Sequence, residues 1–301
     1  MTKVAVVILN WNRKSDTLEC LQSVLTLDAS RYTLIPIVVD NNSNDGSVQA
    51  FENLKNIVIV KNRDNLGYTG GNNSGIKKAL ELGADFVMVL NNDTVLDKNL
   101  VVELLKGAEE HPEAGIFTPK IYFAKGFEFH KDKYKESELG KVIWAAGGKI
   151  DWDNVFGNNR GVDEVDNGQF EKSGEVDFGT GACLFVRKEV FDKIGMFNDR
   201  YFMYYEDTDF CMRAGQAGFK TVYVPRAILW HKVAQSSGIG SGLNDYFISR
   251  NRMLFGTLYA SFRTRFALLR ESLKLILFGR EWQKKGVVDF YLGIFGKGSW
   301  K

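Results

Sequence analysis

The sequence predicts an α/β fold, a mostly parallel sheet flanked by helices, with a helical segment at its C-terminal end. Two observations carry this prediction. Short apolar runs alternate with helix-patterned stretches over the first third of the chain. Each run ends in a polar cluster rather than a hairpin turn, so the connections are crossovers and functional groups collect at the carboxyl edge of the sheet.

The strands come first. VAVVIL (Val4 to Leu9), LIPIVV (Leu34 to Val39), IVIV (Ile57 to Val60) and FVMVL (Phe86 to Leu90) are continuous apolar runs, as strands covered on both faces require. Between them, Leu18, Leu21, Val24 and Leu25 mark one helical face, and Ile76, Ala79 and Leu80 another. From about residue 116 to 175 the pattern loosens into Lys/Glu-rich stretches, Gly147-Gly148 and Asn158-Asn159, which suggest loops and irregular strands. Order returns at Asp177 to Gly195, where a Gly-rich turn leads into a buried strand and a short helix with Val190, Phe191 and Ile194 on its apolar face. An aromatic segment then approaches an acidic helix start at YYEDTDF (Tyr204 to Phe210). From about Asp245, Leu254, Leu258, Phe262, Phe266, Leu269 and Leu273 recur at helical spacing among Arg263, Arg265, Arg270 and Lys274. Such a basic amphipathic helix either lies on an anionic membrane surface or packs on its own domain.

Composition bounds the function. A chain of 301 residues with 45% hydrophobic and 25% charged residues has the makeup of one large globular domain with a C-terminal segment. The formal net charge of +2 gives no global attraction to nucleic acid, so no nucleic-acid partner is expected. The 3 Cys, at positions 20, 183 and 211, are odd in number, lack metal-type spacing and read as reduced thiols. A strand-like run, Lys3 to Leu9, follows the N-terminus directly, without the features of a signal peptide. Catalysis is therefore expected in the cytoplasm. Without an uninterrupted apolar stretch of about 18 residues, any membrane contact is peripheral.

Several polar clusters can carry chemistry. Asp40, in VVDNNSNDGS, follows a buried strand at the ligand-binding edge, where its carboxylate can accept a hydrogen bond from a nucleobase or ribose. A plainer role is open too, because Asn42, Ser43 or Asp45 before Gly46-Ser47 would cap the next helix. NRDNLGYTGGNNSG (Asn62 to Gly75) places Gly and Asn between strand and helix, where free backbone N–H groups could approach a ligand closely. It matches neither the dinucleotide fingerprint nor the P-loop. In LNNDT (Leu90 to Thr94) an apolar strand ends in two amides and an acid, and Asp93 can be a hard oxygen ligand for Mg²⁺ or Mn²⁺ on a diphosphate. It could equally lead into the helix beginning near Asp97.

At YYEDTDF the helix macrodipole favours all three acids. Asp209 lies four residues before Arg213 and can pair with it on one helix face, which leaves Glu206 and Asp207 for chemistry. A carboxylate kept ionised there suits a base that takes a proton from a sugar hydroxyl. His231, in LWHKVAQSSG, stands at the start of a polar loop, as a structural residue or as a metal ligand.

Taken in order, VVILNWNR, VVDNNSNDGS, NLGYTGGNNSG, LNNDT, GTGACLFVRKEVFDKIGMFND, YFMYYEDTDFCMR and LWHKVAQSSG resemble glycosyltransferase family 2, especially its rhamnosyltransferase-like bacterial and archaeal members. The resemblance covers roughly residues 3 to 255. It implies a Rossmann-like GT-A fold. Residues 1–115 would be its nucleotide-sugar-binding half, 116–244 its acceptor-binding and catalytic half, and 245–301 a C-terminal amphipathic helical segment.

The resemblance also assigns roles. Asn10, Asn12, Asp40 and Asn42 would line the nucleotide pocket, with Asn65, Gly70, Gly71, Asn72, Asn91 and Asn92 near the donor. Asp93 would take the final acid of the DxD motif and hold a divalent cation, Mn²⁺ or Mg²⁺, with His231 as a further ligand. Asp207 resembles the catalytic base, with Glu206 beside it, and Gly179 and Gly181 would form the acceptor-side turn. One departure stands out: Asn91 replaces the first acid of DxD, so the site loses a negative charge.

The implied reaction moves a sugar from a nucleotide-diphosphate donor to a glycan or lipid-linked acceptor, with inversion, in cell-surface polysaccharide synthesis. Implied too are work at the inner face of the cell membrane and room for an oligomer. A sugar-nucleotide pyrophosphorylase is the alternative enzyme, but LNWNRKSD lacks the Gly-rich basic loop it needs after the first strand. A catalytically silent GT-A scaffold is the non-enzymatic alternative. Asp93, Asp207 and His231 argue against it.

Overall fold

The computed structural model describes residues 1–233 and 241–300. The first half alternates strand and helix: β1 (Thr2–Asn10), α1 (Lys14–Leu25), β2 (Tyr32–Asp40), α2 (Ser47–Glu52), β3 (Val58–Lys61), α3 (Gly67–Glu81) and β4 (Phe86–Asn91). Then come β5 (Thr94–Leu96), α4 (Leu100–Glu110), β6 (Ala114–Phe123), β7 (Ile143–Ala145), β8 (Gly148–Asp151), β9 (Phe156–Asn159) and β10 (Gly174–Glu175). The last part holds β11 (Cys183–Arg187), α5 (Lys188–Ile194), α6 (Glu206–Gln216), β12 (Lys220–His231), α7 (Gly242–Tyr259), α8 (Phe262–Phe278) and α9 (Glu281–Tyr291).

The main sheet has the order β10-β12-β6-β11-β4-β1-β2-β3, with β5 on β12 and β7 on β6. Neighbours from β3 to β4 are parallel, whereas β11 runs antiparallel to both β4 and β6. The β1–β2 register pairs Asn10 with Asp40, so the carboxyl ends of these strands finish level with each other. Because the apolar runs are covered on both faces, Val4 to Ile8, Ile37 to Val39 and Val87 to Val89 are fully buried.

The glycines of the Asn62–Gly75 segment do something other than line a loop. α3 already begins at Gly67, so Gly70, Gly71 and Asn72 lie within the helix. A methyl group on Gly71 would sit 2.4 Å from Leu9 Cδ1, and one on Gly75 would sit 2.3 Å from Val7 Cγ1. These positions let α3 pack directly on β1 and β2. The N–H groups at the start of the helix are also taken within the chain, Gly67 N by Asn65 Oδ1 and Thr69 N by Phe202 O.

The region where the sequence pattern loosens contains a central strand. β6 is buried along nearly all its length between β11 and β12. Thr118-Pro119-Lys120 hides it from the pattern. Pro119 lies where the β12 register jumps from Val224 to Ile228, so its missing N–H falls at an irregularity of the ladder. Lys120, 1% exposed, pairs with Asp166 at 2.8 Å and Glu171 at 2.5 Å, which offsets the cost of burying its charge.

The C-terminal apolar series is likewise not one helix. It breaks at Ala260-Ser261, where the Ser261 hydroxyl accepts from Thr264 N and caps α8. Leu254 falls on α7 and is buried, whereas Phe262, Phe266, Leu269 and Leu273 fall on α8 and are exposed. α7 packs on the domain, whereas α8 turns an apolar face with basic margins to solvent. Among the described residues, no helix is long and apolar enough to cross a membrane.

Candidate functional site

The carboxyl edge of β1, β2 and β4 carries a connected polar network. Asn10 Nδ2 donates to Asp40 Oδ1 at 2.8 Å and to Ser43 Oγ at 3.0 Å. Asp40 Oδ2 accepts from Ser43 N at 2.9 Å. Both residues are buried, so they brace the β2–α2 turn. That turn presents the exposed Asn42, and the neighbouring β1–α1 turn presents Asn12, each with positive φ. Asn12 Oδ1 accepts from Asn44 N. Asn41 was not singled out in the sequence, yet it organises the next turn. Its Nδ2 donates to Asn65 Oδ1 and Gly67 O, and its Oδ1 accepts from Asn62 Nδ2. Inside α3, Asn72 Nδ2 bonds Tyr68 O while its buried Oδ1 has no partner.

The network reaches the end of β4 through Thr17. The Thr17 hydroxyl donates to Asn10 Oδ1 at 2.7 Å and accepts from Asn92 Nδ2 at 2.9 Å. Next to Asn92, Asp93 Oδ1 lies 3.0 Å from His231 Nε2, and Lys232 N donates to Asp93 O at 2.8 Å. β12 therefore delivers the imidazole to the carboxylate. The ring packs edge-on against Trp144 at 4.6 Å, and its Nδ1 is buried without a partner. The rest of the LWHKVAQSSG motif, residues 234–240, lies outside the described residues.

Asp93 and His231 fit a divalent cation. A carboxylate oxygen and an imidazole nitrogen that converge to 3.0 Å can both reach one ion at about 2.0–2.2 Å. No group of three or more His, Cys, Asp or Glu able to hold a metal occurs among the described residues. Such an ion would need further oxygen ligands, as expected for one shared with a diphosphate and water. The mixed N/O pair suits Mn²⁺ better than Mg²⁺. The Asn91 side chain remains half-exposed beside this pair, while its N–H donates to Ala182 O.

That last bond joins the Asp93 corner to the acid pair of α6. Two residues before β11, Gly181 N donates to Asp207 Oδ2 at 2.8 Å, and Gly181 O accepts from the Tyr68 hydroxyl. A methyl on Gly181 would sit 2.7 Å from that hydroxyl, so the turn requires glycine, whereas Gly179 packs against Thr118 and Leu184. Asp207 Oδ1 accepts from Thr208 N and Thr208 Oγ1. Burial raises the Asp207 carboxyl above the usual range, against these donors, which lower it. Burial also pushes the Tyr68 phenol far up, helped by the nearby charges of Glu206, Asp207 and Asp93. Asp40, Asp93 and Asp207 thus lie along one sheet edge, joined by hydrogen bonds and short stretches of chain.

Asp207 lines a cavity of about 220 Å³ with Trp144, Phe156, Thr180, Tyr204 and Tyr205. Tyr204 and Tyr205 belong to the aromatic segment visible in the sequence, whereas Trp144 on β7 and Phe156 on β9 lie in the stretch whose pattern is loose and carry no period. Glu206 is 5% exposed, and its Oε2 has no hydrogen-bond partner. Burial, then the neighbouring Asp207, raise its carboxyl well above normal. A pKa raised by folding stabilises the fold at low pH, and that contribution is lost as pH rises through the folded value. Glu206→Gln should therefore raise Tm by a few degrees, more at pH 8 than at pH 5. Thermal melts across pH check this, and an equal or lower Tm at high pH would contradict it.

Asp209 is the structural acid of the cluster. It accepts from Arg213 Nε at 2.8 Å and from the Tyr201 and Tyr259 hydroxyls. The loop before α6 is strained, with Phe202, Tyr204 and Tyr205 all at positive φ. Buried residues of α7 hold it there. Asn251 Nδ2 lies 2.9, 2.7 and 2.9 Å from the carbonyls of Tyr201, Met203 and Tyr204, and Arg250 Nη2 donates to Tyr201 O. The C-terminal segment thus fixes where Glu206 and Asp207 point.

Known proteins resemble this chain in sequence and in fold. A rhamnosyltransferase of Mycobacterium tuberculosis, named for N-acetylglucosaminyl-diphospho-decaprenol, is 30% identical over 252 residues, 79% of each chain. The dTDP-rhamnosyl transferase RfbF of Shigella flexneri is 24% identical, covering 93% of this chain and 84% of its own. In fold, the chain is similar to the mannosyltransferase PcManGT of Pyrobaculum calidifontis, solved with GDP-Man and Mn²⁺, at TM-score 0.56 and 14% identity over 96% of this chain and 74% of that one. S. aureus TarS 1-349, solved with UDP-GlcNAc, gives 0.60 and 16% over 96% and 79%. The solved relatives are GT-A glycosyltransferases, so the mixed sheet with its flanking helices is a GT-A fold. Residues 2–256 match the family described as Glycosyltransferase like family 2, and the chain belongs to that family of glycosyltransferases.

Proposed function

We propose that the chain moves a sugar from a nucleotide-diphosphate donor to a hydroxyl of a glycan or lipid-linked acceptor, inverting the anomeric carbon. The observation that carries this reading is the placement of Asp207, on the wall of an aromatic cavity and connected through Gly181 and Ala182 to the Asp93–His231 corner. Stacking aromatics suit a sugar ring, and the cavity has room for about one. Asp207 Oδ2 takes one protein donor, so it keeps a lone pair for a substrate proton.

In the proposed step, Asp207 removes the acceptor hydroxyl proton as that oxygen attacks the anomeric carbon. The carbon–oxygen bond to the diphosphate breaks and its electron pair leaves with the nucleotide. Asn12, Asn42 and the turns braced by Asn10, Asp40 and Asn65 form the nucleotide side of the site. Asn91 and Asn92 border the diphosphate. Gly179 and Gly181 shape the acceptor side, and Glu206, next to Asp207, contacts the acceptor or donor sugar. A divalent cation held by Asp93 and His231 would neutralise charge on the leaving diphosphate. An acceptor carried on a lipid places the enzyme at the cytoplasmic face of the cell membrane.

The test is nucleotide diphosphate release from a panel of nucleotide sugars, with Mn²⁺, Mg²⁺ or chelator. Release is expected with a divalent ion, faster with Mn²⁺, and His231→Ala should weaken the Mn²⁺ dependence about tenfold or more. Full turnover in chelator would remove the cation from the reading. No release from any donor would remove the reading itself.

A further inference from the structure

We propose that the outer face of α8 seats the protein on an anionic lipid bilayer. Phe262, Phe266, Leu269, Leu273 and Leu277 are 42–86% exposed. At about 100° per residue they form one stripe along the helix. Arg263, Arg270 and Lys274 follow one edge of that stripe and Arg265 the other, all exposed. The one acid of α8, Glu271, is turned inward onto Arg252, with contacts of 2.6 and 2.9 Å. The outer face is therefore apolar at its centre, cationic at its margins and free of carboxylates, which is the pattern that binds anionic interfaces.

Charge decides between occupants. Two copies meeting by this face would bring like charges together without compensation, whereas anionic headgroups would pair with them. Position adds to the argument. The inner face of α8 borders a cavity of about 150 Å³ whose lining includes Phe156, Ile248, Leu268 and Leu275. Phe156 and Ile248 also line the Asp207 cavity, so α8 itself stands next to the acceptor side of the site. A bilayer there would present the head of a lipid-linked acceptor toward Asp207. This last step rests on the function proposed above, but vesicle binding does not.

The test is flotation of the full chain with vesicles of phosphatidylcholine alone or mixed with phosphatidylglycerol, at low and high salt. The protein should float with the anionic vesicles, less at high salt, and remain in solution with phosphatidylcholine alone. Both Leu269→Glu/Leu273→Glu and Arg263→Glu/Arg270→Glu should lower binding about tenfold or more, with diphosphate release to a soluble acceptor unchanged. Equal flotation of wild type and variants, or no flotation of wild type, would overturn the proposal. So would a solution dimer that the leucine variant dissociates. Vesicle binding without turnover of any donor would leave this surface standing and count against the proposed function alone.

Discussion

Replacing Asp207 by Asn is expected to lower kcat by about 10²–10⁴-fold, the usual worth of a positioned general base, while the Kd for the nucleotide diphosphate stays unchanged. The separation follows from position. Asp207 belongs to the aromatic cavity and the Gly181 turn, whereas the braced β1 and β2 turns lie at the other end of the network. An amide is nearly the same size but cannot accept the proton. It also sets an N–H against one of the donors from Gly181 and Thr208, which costs about 1–3 kcal/mol, offset by removal of a buried charge. In wild type the acid limb of kcat/KM should fall above the ordinary aspartate range, because burial raises this carboxyl. Calorimetric titration of nucleotide diphosphate beside initial rates measures both quantities. Unchanged kcat would remove Asp207 from the chemistry.

Asn251→Asp is expected to be more damaging than Asn251→Ala, though Asp is the closer match in shape. The Asn251 amide N–H groups face three carbonyls, and a carboxylate there would turn donors into acceptors. With Ala, the carbonyls lose a donor and the strained residues Phe202, Tyr204 and Tyr205 can relax. A loss of about 2–4 kcal/mol is expected for Ala and more for Asp. Because the loop leads directly into Glu206 and Asp207, kcat should fall about tenfold or more in Ala, with little change in donor KM and a displaced acid limb. Denaturant melts and pH–rate profiles read these effects. A variant as unstable as expected but with wild-type kcat and pH profile would make Asn251 a stability residue only.

The legible parts of this protein are those whose physics is local. β1, β2 and β4 show as unbroken apolar runs because each is covered on both faces. The Asp209–Arg213 pair followed from helix spacing alone. β6 escaped because Lys120 finds its partners in Asp166 and Glu171, more than forty residues away, and Pro119 is tolerated at a register shift that no single strand reveals. Gly71 and Gly75 of α3 invite a ligand-facing reading, but the space they leave belongs to Leu9 and Val7.

The site divides in the same way. Asp40, Asp93, Asp207 and His231 stand out in sequence because acids and a His follow apolar strands or open a helix, and the fold brings them to one edge. Thr17, Tyr68, Trp144, Phe156 and Asn251 carry no such mark, since each acts across a tertiary gap. Asn251 did leave one trace. With Arg250 it puts polar groups where the period of α7 calls for core residues, and both are fully buried.

The central claim is that one base and one leaving group act on opposite sides of the anomeric carbon in a single displacement. Proton NMR of the first-formed product, with the donor's anomeric coupling as reference, tests it most directly. An anomeric configuration opposite to that of the donor is the predicted result, and it should be lost with product formation itself in Asp207→Asn. A product that keeps the donor's configuration would contradict the single displacement and the role given to Asp207.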